Sequence, residues 1–89
     1  MASATIEELQ GDQIAMSVAR ALALANEAAV LHGTDPAKSL ISIMEEATPG
    51  GPVWRINYVK RDLVNRRGGD LIVFVDEANQ TVQRVLRGQ

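Results

Sequence analysis

The clearest pattern in the chain is a pair of apolar segments near the C-terminus, which predicts a β-hairpin. Asp70–Val75 is a short apolar run rich in β-branched residues, as in a well-buried strand. Thr81–Arg87 alternates apolar with polar residues, as a half-exposed strand does. In the turn segment 76–80, Asn79 can take a left-handed backbone conformation at modest cost. A lone hairpin is marginal in water, so other segments must cover its buried strand.

A long helix is predicted over Gln13–Leu31. The segment is rich in alanine, the best helix former, and contains neither glycine nor proline. Asp12 is placed to cap its N-terminus, and Gly33 is placed to end it in a left-handed conformation. The helical period puts an apolar stripe on one side, formed by Ile14, Val18, Leu22, Ala25 and Ala29.

Two further leucines suggest that this helix is buried on more than one side. Leu24 and Leu31 fall in the arc that otherwise carries its polar side chains. A helix that is apolar on several sides is usually buried on several sides, and one sheet layer covers only one of them. The pattern therefore predicts a homodimer. The alternative is that both leucines are ordinary scattered surface residues.

Residues 37–47 allow two interpretations. We favour a strand over Ser39–Glu46. The alternative is a second helix, capped by Asp35 and started by Pro36.

The next segment predicts a turn followed by another strand. Thr48–Pro52 is a dense turn signal, and the alternating segment after it extends the strand pattern to Lys60. We therefore expect a first antiparallel hairpin that pairs Leu40–Ala47 with Val53–Lys60. Two glycines, Gly68 and Gly69, then suggest a bend before the second hairpin.

The resulting fold class is α+β, with one long N-terminal helix packed on a four-stranded antiparallel meander. The length of 89 residues suits a single domain. We assign residues 12–89 to that domain and residues 1–11 to a flexible N-terminal segment that could add one helical turn.

Three segments carry a resemblance to a known family: Val53–Tyr58 with its tryptophan, Leu71–Asp76 ending in Val-Asp, and the valine-containing Thr81–Leu86. Together with the helix they resemble the small PepSY-like domains of the cystatin-like architecture. The resemblance implies a non-enzymatic interaction or inhibitory module. The segment 48–52 departs from the Gln-Val-Val-Ala-Gly-type loop of cystatin inhibitors, so inhibition of cysteine proteases is not implied.

Charge is unevenly distributed along the chain. The net charge is −2, but residues 1–50 carry −5 and residues 51–89 carry +3. The loop 60–69 is therefore a candidate anion or nucleic-acid contact through four basic residues, Lys60, Arg61, Arg66 and Arg67. The acidic total argues against a dedicated nucleic-acid binder.

Residues with catalytic or metal-binding chemistry are few. The absence of cysteine excludes disulfides and thiolate chemistry, and His32 is the only histidine. Glu45 and Glu46 are adjacent, so in a strand they point to opposite faces. We therefore predict no catalytic residue, no metal and no cofactor. The alternative is a small enzyme with a pocket between helix and sheet.

The N-terminus shows no basic segment followed by an apolar one, so we expect no signal peptide and a cytoplasmic location. Polar residues interrupt Ile14–Leu31, so we expect no membrane insertion.

The pattern as a whole predicts a non-catalytic interaction module that self-associates and binds a protein or peptide on the sheet or at its Thr81–Arg87 edge. Trp54 and Tyr58 share one face of their strand, which is core if it points inward and a binding strip if it points outward. The candidate partner surface comprises Leu24, Leu31, Trp54, Tyr58, Val82 and Arg84.

Overall fold

The computed structural model describes residues 3–61 and 70–88, which form a helical layer on one face of an antiparallel sheet. The helical elements are α1 (Ile6–Gly11), α2 (Gln13–Leu31) and a short 3-10 turn (Pro36–Lys38). The strands are β1 (Ser39–Thr48), β2 (Gly51–Lys60), β3 (Leu71–Asp76) and β4 (Thr81–Arg87), in the spatial order β1-β2-β3-β4. The predicted α+β class is confirmed.

Helix α2 begins and ends where its capping residues predict. The carboxylate of Asp12 accepts the backbone N–H of Ala15 at 2.9 Å. At the other end Gly33 has a φ of 81°, and the N–H of Thr34 donates to the carbonyl oxygen of Ala29 at 2.8 Å. The extra helical turn within residues 1–11 is present as α1, whose N-terminus is capped by the side chain of Thr5.

The strand interpretation of residues 37–47 is confirmed, and the second helix is wrong. Asp35 does act as a cap, accepting the N–H of Ala37 at 2.9 Å, but the turn that it starts ends at Lys38. From Ser39 onward the chain pairs residue by residue with β2 over ten positions. Pairing with a neighbouring strand outweighs the helical start signal, as tertiary context commonly does.

Both predicted hairpins are present. The first pairs Leu40 with Val59 and Ala47 with Pro52, and the second pairs β3 with β4. In the second turn Gln80, rather than Asn79, has a positive φ, of 53°. The N–H of Asn79 instead donates to the side chain of Asp76 at 3.0 Å. The bend predicted at Gly68 and Gly69 lies outside the described residues.

The core lies between α2 and the inner face of the sheet. The helix contributes only alanines to the fully buried set, namely Ala21, Ala25, Ala28 and Ala29. The sheet contributes larger side chains: Trp54, Ile56, Tyr58, Leu71, Val73 and Val75. Ile14, which the helical period places in the same stripe, is instead 71% exposed. It lies about one turn before Ser17, where the side chains of α2 meet the sheet.

Two inward aromatic residues also hydrogen-bond to the helix. The indole N–H of Trp54 donates to the hydroxyl of Ser17 at 2.8 Å, and the hydroxyl of Tyr58 donates to the amide oxygen of Asn26 at 2.7 Å. Burial raises the pKa of Tyr58 to about 12. Trp54 and Tyr58 therefore belong to the core, and their place in the predicted partner surface is corrected.

The close packing of the buried alanines against the sheet predicts a strong size limit at Ala25, which is fully buried, whereas Ala23 is exposed on the same helix. Ala25→Leu should lower the free energy of unfolding by about 1–3 kcal/mol, because the added carbons must push α2 away from the sheet. Ala23→Leu, the matched control, should change it by less than about 0.5 kcal/mol. Urea denaturation measures both, and equal effects would contradict the close helix–sheet contact.

Candidate functional site

Strand β1 lies at the edge of the sheet, beyond the strands that α2 mainly covers. The helix packs chiefly on β2, β3 and β4. Several large apolar side chains of β1 are consequently open to solvent. Leu40 is 52% exposed and Met44 58% exposed on the face away from α2, while Ile41 is 37% exposed on the other face. We call this strand, with its exposed side chains, the β1 edge.

The face of the sheet away from α2, the open face, is less accessible at its centre. Phe74 points to this face, yet only 6% of it is exposed. The guanidinium of Arg84 lies 4.5 Å from the centre of its ring, and that of Arg55 lies 6.0 Å from it. The two arginines thus cover the apolar centre of this face. The exposed apolar side chains of the sheet lie on its two edge strands, and the most exposed of them, Leu40 and Met44, lie on β1.

The two edges of the sheet differ in how well they resist pairing with another strand. At the β4 edge a register irregularity interrupts the pairing with β3, and the strand carries Arg84 and Arg87. Arg87 also donates to the backbone carbonyl of His32 at the end of α2. Bulges, charges and covering contacts are ordinary ways to block an edge. The β4 edge, which the sequence favoured as the pairing edge, is therefore the better protected one.

The β1 edge has few such protections. Its pairing with β2 is uninterrupted over ten positions, and Ser39–Met44 contains neither charge nor proline. Charged residues lie only at its ends, with Lys38 before the run and Glu45 and Glu46 after it. Within the described ranges no strand pairs with the outer side of β1. This side therefore presents backbone N–H and C=O groups that a further strand could pair with.

The remaining predicted partner residues do not form one surface. Leu31 is 80% exposed at the end of α2, whereas Leu24 is partly buried and packs against the core. Val82 pairs with Val75, which faces the helix. Arg84 lies on the open face, over Phe74. The exposed leucine and the arginine are thus on opposite sides of the sheet.

The predicted anion contact is only partly described. Lys60 and Arg61 are exposed at the end of β2, next to the start of β1, where the N–H of Arg61 donates to the carbonyl oxygen of Lys38 at 3.2 Å. Arg66 and Arg67 lie outside the described residues. The hypothesis of an anion-binding loop stays a prediction.

The carboxyl groups of Glu45, on β1, and of Glu77, just after β3, come close together near Pro52 on the intervening strand β2. Glu77 follows β3, its N–H donates to the carbonyl oxygen of Pro52 at 3.3 Å, and its carboxyl group lies close to that of Glu45. Burial, together with the neighbouring carboxyl group of Glu45 and the charge of Asp76, raises the pKa of Glu77 to about 7. No local pattern predicts this pair, because 32 residues separate Glu45 from Glu77 and only the strand register brings them together.

The described residues offer little other chemistry. Among residues 3–61 and 70–88, no group of three or more His, Cys, Asp or Glu side chains is placed to hold a metal ion. A shallow depression of about 240 Å³ lies at the end of α2, lined by Val30, Gly33, Thr34 and Asp35. By length and composition α2 could also cross a membrane, although in this fold its alanines form the core.

Comparison with protein-family models, with curated proteins and with solved structures finds no match to this chain. The resemblance to PepSY-like domains stays a prediction, and a proposal for function depends on the geometry of the chain alone.

The carboxyl pair predicts a specific dependence of stability on pH. Because the pKa of Glu77 is higher in the folded chain than its ordinary value of 4.5, the folded state binds this proton more tightly. The contribution of Glu77 to the free energy of unfolding is fully present below pH 4.5 and is lost as the pH rises through about 7.

Glu77→Gln should remove this contribution and flatten the decline of the unfolding free energy between those two pH values. Urea denaturation at a series of pH values measures it. Glu27→Gln, an exposed glutamate on α2, is the matched control and should keep the wild-type profile. Parallel profiles for the wild type and Glu77→Gln would contradict the prediction.

Proposed function

We propose that this chain is a non-catalytic interaction module that binds an extended polypeptide by adding it as a strand to the β1 edge. The observation that supports this most directly is the exposure of Leu40, Ile41 and Met44 on an edge strand of ten residues without interruption. Strand addition is a recurring mode of peptide recognition, in which backbone pairing supplies affinity and alternate side chains supply specificity.

The backbone supplies the first part of the binding energy. One side of β1 pairs with β2 from Ser39↔Lys60 to Thr48↔Gly51, so the strand is already held straight and in register. A partner strand would therefore pair with a preformed edge, and only the partner would lose conformational freedom. The N–H and C=O groups on the outer side would exchange water for the backbone of the partner.

Side chains on both faces of β1 supply the second part. Leu40 and Met44 point to the open face, and Ile41 and Ile43 point to the face that carries α2. A partner with apolar residues at alternate positions would cover either pair, because directly opposite side chains in antiparallel strands lie about 4.5–5.5 Å apart. Burying such surface contributes roughly 25 cal/mol per Å².

The shape of the chain agrees with an edge-binding module. Its extents are 41 × 38 × 21 Å, and its radius of gyration is 14.1 Å, against about 12 Å for a compact domain of this length. The molecule is a flat two-layer slab, whose edges are a large part of its surface.

The proposal predicts that a positive charge in the middle of the β1 edge blocks binding. Ser42 is exposed at the centre of the uncharged run, so Ser42→Lys should leave the fold intact and weaken strand binding at least about tenfold. The probe is a set of fluorescent ten-residue peptides of alternating valine and threonine, with binding followed by anisotropy at low protein concentration.

Gln83→Lys provides the matched control, because it places the same side chain on the exposed β4 edge. It should leave peptide binding unchanged. Amide hydrogen exchange locates the contact, and bound peptide should slow exchange in β1 but not in β4. Peptide binding that Ser42→Lys leaves intact, or protection that appears in β4, would contradict the proposal.

A further inference from the structure

We infer that the strand which binds the β1 edge is the β1 strand of a second copy of this chain. The two strands would pair antiparallel about a two-fold axis through Ser42, and the two four-stranded sheets would become one sheet of eight strands. This inference rests on the proposed function, because it names the partner of the same edge.

Symmetry restricts how two β1 strands can pair. An antiparallel pair of identical strands in one sheet is related by a two-fold axis perpendicular to that sheet. Such an axis maps each face of the sheet onto itself, so both helices lie on the same side of the joined sheet. Each residue therefore lies opposite a residue of the same face. The axis consequently lies midway between one residue and its own copy, and we call it an axis through that residue.

The axis through Ser42 matches side chains by type. It places Leu40 opposite Met44 of the second copy on the open face. It places Ile41 opposite Ile43 of the second copy on the face that carries α2. The exposed apolar side chains of each copy thus cover those of the other, which removes the apolar exposure at the centre of the edge from water.

Charge complementarity supports the same register. The axis through Ser42 places Lys38 opposite Glu46 of the second copy, and the symmetry repeats this pair at the other end of the interface. Lys38 ends the 3-10 turn directly before β1, and its carbonyl oxygen accepts the N–H of Arg61 at 3.2 Å, so it lies next to the first pair of the ladder. Glu46 already lies 3.3 Å from Arg55, and the lysine of the second copy would be a second cation beside it. Opposite charges at the ends of an interface fix register and partner choice.

The two neighbouring registers bring together less compatible side chains than the register about Ser42 does. An axis through Ile41 places Lys38 opposite Met44, and Leu40 opposite Ser42. An axis through Ile43 places Leu40 opposite Glu46, which sets a carboxylate against an apolar side chain. Among these three registers, only the Ser42 axis pairs apolar with apolar and cation with anion.

A single cysteine tests both the partner and the register, because the chain has no cysteine of its own. On a two-fold axis Ser42→Cys faces its own copy, with the two Cα atoms about 4.5–5.5 Å apart. A disulfide needs a Cα separation of about 4.4–6.8 Å. Mild oxidation of Ser42→Cys should therefore yield a covalent dimer.

Leu40→Cys is the matched control on the same face of β1. In the same register its two copies lie about 13 Å apart along the strands, so it should not cross-link. Sedimentation of the wild-type protein should show a monomer–dimer equilibrium.

Charge exchange tests the register independently. Lys38→Glu and Glu46→Lys each place like charges opposite each other, so each variant alone should self-associate at least about tenfold more weakly than the wild type. Mixing the two variants restores opposite charges at both ends of the interface. The mixture should therefore form a heterodimer, which native mass spectrometry distinguishes from either homodimer when one variant is labelled with nitrogen-15.

The outcomes separate this inference from the proposed function. A wild-type protein that stays monomeric at high micromolar concentration, with no cross-link at Ser42→Cys, would overturn the second copy as partner. Strand addition would still stand if the valine–threonine peptides protect β1 from hydrogen exchange. A cross-link at Leu40→Cys in preference to Ser42→Cys would overturn the stated register, and loss of both dimer and peptide binding would overturn both proposals.

Discussion

The contact between the alanine face of α2 and the sheet is the constraint on which the rest of the structure depends. Four alanines, Ala21, Ala25, Ala28 and Ala29, form the fully buried part of the helix. Such small side chains let the helix lie close to the larger residues of the sheet, and they also make the covered area narrow. One helix of this kind covers chiefly β2, β3 and β4 and leaves the exposed side chains of β1 without a layer above them.

Two side-chain hydrogen bonds at the sides of this interface favour one position and one rotation of α2 on the sheet. The bonds from Trp54 to Ser17 and from Tyr58 to Asn26 join the ends of one strand face to two positions along the helix. Because a buried indole or phenol without a partner is costly, these bonds favour one rotation and one position of α2 over the sheet. They also determine which face of the sheet is left open, and the arginines around Phe74 then cover the centre of that face.

Among the described strands, the most exposed apolar side chains, Leu40 and Met44, lie on β1, and one member of the carboxyl pair lies on the same strand. Glu45 belongs to β1, and Glu77, whose carboxyl group lies close to it, is in the turn that follows β3. The carboxyl pair thus connects the edge strand to the second hairpin across β2. The proposed function and the pH dependence involve neighbouring parts of one surface, although they depend on different atoms.

Much of the fold could be predicted from the sequence, because its signals are local. The alanine content and the caps Asp12 and Gly33 specify α2, and alternation and turn residues specify both hairpins. Three side-chain environments could not be predicted, since each depends on where the helix meets the sheet: Trp54 points inward, Leu24 is partly buried and Ile14 is exposed. The protection of the β4 edge could not be predicted for a similar reason, because the irregular pairing of β4 with β3 and the contact of Arg87 with His32 arise only when strands and helix are assembled.

The sequence by itself determined the elements, their order and the absence of cysteine chemistry, since these follow from residue type and short-range spacing. The tertiary structure alone decided that β1 is the exposed edge and that Glu45 meets Glu77. Both facts depend on packing and register between residues far apart in the chain, and no local pattern encodes those distances.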